Sequence, residues 1–190
     1  MTEFHDPYGR ISGLPMDLLR SMVGNRIQRV GYKASGDPVV GFDQGSATFV
    51  HEVDHAVVIS TESTAIVLEW CIRNYDEFLN VAGAPEEGVA AAVTRVVDVT
   101  SVPQWSRLRE SAIASFGVAT HRSEDGSELL WALRIAAANG ASVVVALGEL
   151  RDAMPTYQPD SLLVIFQPEL AQSLQVLDSS ESAWGRDLGL

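Results

Sequence analysis

Residues 134–145 read RIAAANGASVVV, two apolar runs joined by the dipeptide Asn139-Gly140. Asn-Gly between apolar runs predicts a β-hairpin, because both central residues of a type I′ turn adopt positive φ angles. Residues 39–50 read VVGFDQGSATFV and align with this segment so that Gly45 falls on Gly140. Each segment therefore predicts a strand, a turn and a second strand.

The likeness extends in both directions along the chain. The apolar run at residues 65–68 corresponds to the run at 162–165, and residues 27–32 correspond to 113–118. A helix-like stretch with a proline at its start precedes each copy, and proline suits the first turn of a helix. The links are too short for parallel crossovers. We therefore predict an α+β fold dominated by antiparallel sheet, built from a duplicated helix–strand–hairpin–strand unit.

Turn-rich segments and the ends of the likeness set the predicted boundaries. They give an N-terminal arm at 1–11, a first α+β repeat at 12–80, a connection at 81–97, a second α+β repeat at 98–175 and a C-terminal tail at 176–190.

Composition limits the function classes. The chain has 190 residues, with 25 Asp and Glu against 13 Lys and Arg, which gives a formal charge of −12. Direct nucleic-acid binding is disfavoured because phosphate contacts need clustered cations.

No apolar run approaches the roughly 20 residues of a membrane span. The single cysteine, Cys71, fits a reducing compartment. We expect a cytoplasmic bacterial protein, since arginine provides 12 of the 13 basic residues, a usage typical of GC-rich genomes.

Two connecting segments combine acidic with aromatic or other large side chains. Residues 73–79 and 149–160 have the composition of a binding surface, although both also fit plain connections, and 73–79 equally fits a short amphipathic helix. The predicted partner-binding residues are Asp76, Glu77, Glu149, Asp152, Tyr157 and Asp160.

Residues 51–55 read HEVDH, which resembles the zincin metallopeptidase signature. The resemblance implies zinc held by His51 and His55, with Glu52 as the general base. The third ligand would be Glu69, Asp76 or Glu77.

The residues that flank HEVDH predict another structure. They are rich in β-branched side chains, which favour strands. On a strand the two histidines would lie roughly 13 Å apart, too far to share one ion. We therefore predict a strand that ends in a turn at Asp54-His55, with no metal and no cofactor.

The patterns GxxIxxV at residues 24–30 and FDxG at 42–45 are similar to those of small uncharacterised bacterial β-rich proteins, some of which resemble immunity proteins of toxin systems. The resemblance implies an inhibitor of a toxin. With the charge, it predicts a non-enzymatic acidic protein-binding module, in its most concrete form an immunity-type inhibitor of a basic toxin or enzyme. The alternatives are a zinc-dependent hydrolase that uses HEVDH and a homo-oligomeric structural protein that associates through sheet edges.

Overall fold

The computed structural model describes most of the chain. The described residues are 11, 14–34, 49–73, 75–84, 95–152, 154–158, 160–176 and 179–190. The predicted strand and turn at 39–48 lie outside them, as does nearly all of the predicted N-terminal arm. No helix among the described residues is long and apolar enough to cross a bilayer.

Short helices and many strands make up the described part. In chain order they are α1 (Met16–Met22), β1 (Arg29–Ala34), β2 (Val50–Val53), β3 (Ala56–Ser60), β4 (Ala65–Arg73), β5 (Asp76–Gly83), β6 (Arg95–Asp98), α2 (Pro103–Arg109), β7 (Ile113–Arg122), β8 (Glu128–Ala137), β9 (Ser142–Leu147), β10 (Glu149–Arg151), β11 (Met154–Thr156), β12 (Leu162–Ile165), α3 (Pro168–Ser173) and β13 (Arg186–Asp187).

The strands form two main sheets and a small hairpin. One sheet has five strands in the order β5-β4-β3-β1-β6, and the other has six in the order β13-β7-β8-β9-β12-β2. The strands β10 and β11 pair only with each other. Every pairing between these strands is antiparallel. The predicted α+β fold dominated by antiparallel sheet is therefore confirmed.

The six-stranded sheet takes one strand, β2, from a distant stretch of sequence, whereas the strands of the five-stranded sheet lie between residues 29 and 98. The strands β2 and β3 are separated only by Asp54 and His55, yet they belong to different sheets. In the six-stranded sheet β2 pairs with β12, so that Val53 lies opposite Leu162. In the five-stranded sheet β6 lies beside β1. The chain therefore passes from the five-stranded sheet to the six-stranded sheet and back within its first half. The repeat boundaries stay a prediction.

Helices α1 and α2 begin where the prolines predict. Pro15 immediately precedes α1, and Pro103 opens α2. Gly24 follows α1 with a φ of +84°, the left-handed conformation that ends a helix. The segments after the two helices contact each other: the Gly24 N–H donates to the Ile113 carbonyl at 2.9 Å, and the Ile113 N–H donates to the Asn25 carbonyl at 2.8 Å.

The hairpin at Asn139-Gly140 forms, but its turn type differs from the prediction. Gly140 has a φ of +84°, whereas the only non-glycine residues of the described chain with positive φ are Tyr75 and Asp152. The Gly140 N–H donates to the Ala137 carbonyl at 2.9 Å. A type I turn followed by a left-handed glycine gives this three-residue loop, so only one residue needs positive φ.

One apolar core joins both sheets and the helices. Its largest fully buried side chains include Trp105 of α2, Trp131 of β8, Tyr32 of β1 and Phe116 of β7. The side chains of β1 alternate as expected for a strand that covers a core, with Val30 and Tyr32 inside.

The C-terminal segment packs along the outer strand of the six-stranded sheet. Its strand β13 pairs with β7. Beneath it, Arg134 is only 5% exposed, its guanidinium forms an ion pair with Asp187, and its Cζ lies 4.4 Å from the centre of the Trp184 ring. Gly117 leaves the space that this guanidinium occupies, because a Cβ there would come within 2.7 Å of Arg134 Nη2.

Candidate functional site

The HEVDH segment is a strand and a turn. Residues 51–53 belong to β2, and Asp54 and His55 form the bend that leads into β3. The strand interpretation is confirmed, and the helix that would place His51 and His55 on one face does not form. Among the described residues, no three His, Cys, Asp or Glu side chains gather in a way that could hold a metal ion.

His51 belongs to a buried polar chain. Trp105 Nε1 donates to Tyr32 Oη at 2.8 Å, and Tyr32 Oη lies 2.8 Å from His51 Nδ1. An indole N–H can only donate, so the tyrosine oxygen accepts from Trp105 and shares a second hydrogen bond with His51 Nδ1. Burial lowers the pKa of His51 to about 4 and raises the pKa of Tyr32.

The other residues of the zincin interpretation are used within the fold. Glu52 Oε2 accepts a hydrogen bond from the Leu150 N–H at 2.8 Å. Glu69, one of the three candidate third ligands, accepts from Asn80 Nδ2 at 3.1 Å across the β4–β5 pair. These carboxylates therefore stabilise the sheets, and they do not converge on His51.

The predicted acidic residues of the first segment lie at the start of β5. Asp76 and Glu77 are strand residues rather than loop or helix residues, because Arg73 pairs with Asp76 in a tight hairpin. Burial raises the pKa of Glu77, and the nearby carboxylates of Asp160 and Asp76 raise it further, while His121 opposes them. The fold therefore brings three of the six predicted residues together.

Two large apolar side chains accompany these acids. Tyr75 is 99% exposed and has a φ of +71°, and Ile72 is 57% exposed. We call Ile72, Tyr75, Asp76, Glu77 and Asp160 the acidic tip. A fully exposed tyrosine gains nothing from the core, so its apolar surface is available to a partner.

His121 fixes the acidic tip to the six-stranded sheet. Its Nε2 lies 3.0 Å from the Glu77 carbonyl oxygen, which accepts the bond. Sequence reasoning did not include His121 in the site. It lies at the far end of β7, and no local pattern marks it as a neighbour of Glu77.

The remaining predicted residues lie on or beside the β10–β11 hairpin. Glu149 forms an ion pair with Arg151 at 2.7 Å, and Asp152 occupies the turn with a φ of +53°. The Tyr157 ring packs edge-on against Trp131, with the ring centres 6.0 Å apart. Glu149 and Tyr157 therefore contact neighbours within the fold, and Asp152 is exposed at the hairpin turn.

Comparisons with protein-family models, with curated proteins and with solved structures find no match for this chain.

Proposed function

We propose that this chain is a non-enzymatic acidic protein-binding module and that the acidic tip contacts the partner. The observation that carries the proposal is the position of Glu77. Its carboxylate is partly buried beside Asp76 and Asp160, although each of these influences disfavours its charge. A cationic partner would relieve this cost.

The exposed apolar residues supply the other half of the interaction. Tyrosine is enriched among the residues that dominate binding energy, because its rigid ring buries a large area at a small entropy cost. Tyr75 and Ile72 lie beside Asp76 and Glu77 on the β4–β5 hairpin. The acidic tip thus combines an aromatic anchor with carboxylates that attract and orient basic groups.

In its most concrete form, the module is a bacterial immunity-type inhibitor. A net charge of −12 accelerates association with a basic toxin or enzyme. The carboxylates of the acidic tip would then occupy a cation-lined active site of that partner. The proposal needs no metal or cofactor.

The test compares charge changes of equal size at two places. One variant combines Asp76→Asn, Glu77→Gln and Asp160→Asn, and its matched control combines Asp17→Asn, Glu62→Gln and Glu169→Gln. Each variant is used to capture proteins from the host lysate at low and at moderate salt.

A basic partner that the wild type and the control retain, and that the acidic-tip variant loses, would support the proposal. Equal capture by both variants would contradict it. Sedimentation of the purified protein addresses the homo-oligomeric alternative, which predicts a dimer or larger species.

A further inference from the structure

A second surface feature lies between α2, the β8–β9 turn and the segment that joins β12 to α3. It is a cavity of about 360 Å³ whose walls include Phe49, Pro103, Arg107, Leu108, Ser142 and Phe166. The Asn139 Nδ2 group donates to the Arg107 carbonyl at 2.9 Å. This bond ties the last turns of α2 to the hairpin and holds the two walls in place.

The walls are largely apolar. Leu108 is buried and belongs to the core, and Phe166 packs against that core. Phe49 also faces the cavity and is 47% exposed. A concave surface with aromatic walls and a few polar groups is the usual form of a small-molecule site.

The charge of the cavity is opposite to that of the whole protein. Among the described residues, no carboxylate belongs to its walls and the Arg107 guanidinium forms no ion pair. In a chain of net charge −12, this is a local site of positive charge beside apolar walls.

We propose that this cavity binds a small amphipathic anion, with its acidic group at Arg107 and its hydrocarbon body against Leu108, Phe49 and Phe166. A volume of about 360 Å³ lies at the lower end of the range of small-molecule sites. It suits a ligand with one acidic group and a short hydrocarbon body, such as a medium-chain or aryl-substituted carboxylate.

Phe166 provides a direct spectroscopic readout of binding. Its ring meets the Trp105 ring edge-on with centres 5.1 Å apart, and it meets His51 at 5.0 Å. A ligand that presses on Phe166 changes the surroundings of the Trp105 indole, and its emission reports occupancy. Calorimetry on the same samples gives the affinity independently.

The experiment titrates the full chain with three probes that share a ten-carbon chain: decanoate, decanol and decyltrimethylammonium. Decanoate should bind with one-to-one stoichiometry, decanol more weakly and the cation not at all. Arg107→Gln should weaken decanoate about five- to ten-fold and leave decanol unchanged, because only the charge-assisted contact is lost. Arg151→Gln, a change of equal charge on the β10–β11 hairpin, should leave both affinities unchanged.

A second variant tests the cavity itself. Ala141→Leu places additional carbons at the wall, and it should abolish decanoate binding while circular dichroism stays unchanged. Equal binding of decanoate and decanol, an unchanged affinity in Arg107→Gln, or full binding in Ala141→Leu would overturn the proposal. None of these outcomes bears on the acidic tip, so this inference and the proposed function can fail separately.

Discussion

The side chain of Glu52 accepts a hydrogen bond from the backbone N–H of Leu150, at a distance of 2.8 Å. The two residues belong to the edge strand β2 and to the short strand β10. The contact anchors the β10–β11 hairpin to the six-stranded sheet. The same carboxylate would be the general base of a zincin, so its position shows how a catalytic pattern of five residues can serve the fold instead.

Removing this acceptor should loosen the hairpin. Glu52→Ala leaves the partly buried Leu150 N–H without its partner and should lower the free energy of unfolding by about 1–2 kcal/mol. Amide hydrogen exchange in residues 149–156 should become faster. Glu52→Gln keeps an acceptor oxygen and serves as the control. Equal exchange rates in wild type and Glu52→Ala would show that the bond does not hold the hairpin.

Stability should fall in acid because of His51. Its pKa is about 4 in the folded chain and about 6.5 when unfolded, so between these values the unfolded state binds more protons. The free energy of unfolding therefore decreases as the pH drops from about 6.5 towards 4. The contribution of this one group is about 3 kcal/mol. Urea denaturation at half-unit pH intervals measures the slope of the free energy of unfolding against pH.

The control for this slope is His51→Asn. The asparagine amide offers both a donor and an acceptor to the Tyr32 hydroxyl, but it cannot be protonated in this range. The variant should lose part of the slope between pH 6.5 and 4 and keep the part that arises from carboxylates. A variant with the wild-type slope would exclude His51 as its source.

A methyl group at position 117 should release the C-terminal segment. The new Cβ of Gly117→Ala would meet the Arg134 guanidinium, which is confined by Trp184 and Asp187. We expect a loss of about 1–3 kcal/mol in the free energy of unfolding and faster exchange in residues 179–190. Gly83→Ala is the matched control, because its Cβ would lie at an ordinary 3.6 Å from Leu18. Equal behaviour of the two variants would contradict this account.

Neutralising Glu77 should stabilise the protein. The fold raises the pKa of this carboxyl above the pKa that it has in the unfolded chain. Its contribution to the free energy of unfolding therefore decreases as the pH rises above the unfolded pKa. Glu77→Gln should therefore increase the free energy of unfolding at pH 7, by less than about 1 kcal/mol at this partly exposed site. Thermal denaturation beside the exposed control Glu62→Gln measures the effect. A less stable Glu77→Gln would mean that the carboxylate supports the fold.

Local sequence signals predicted the elements but not their long-range partners. Proline and glycine marked both ends of α1, and continuous apolar runs marked the start of β4 and all of β12, since these effects act over a few residues. Nothing in residues 50–53 indicates pairing with β12. The influence of Asp160 on the pKa of Glu77 depends on the packing of separate elements, so the sequence did not predict it. The turn at Gly140 shows a third limit, because one Asn-Gly pair fits more than one loop geometry.

The pairing of β2 with β12 also has a consequence for synthesis on the ribosome. The strand β2 leaves the exit tunnel long before its neighbour, because residues 54–161 must be translated in between. At about 5–20 residues per second, this interval is on the order of ten seconds. During that time Val50 and Val53 lack their sheet partner, and the charge of Glu52 between them opposes self-association of the nascent chain.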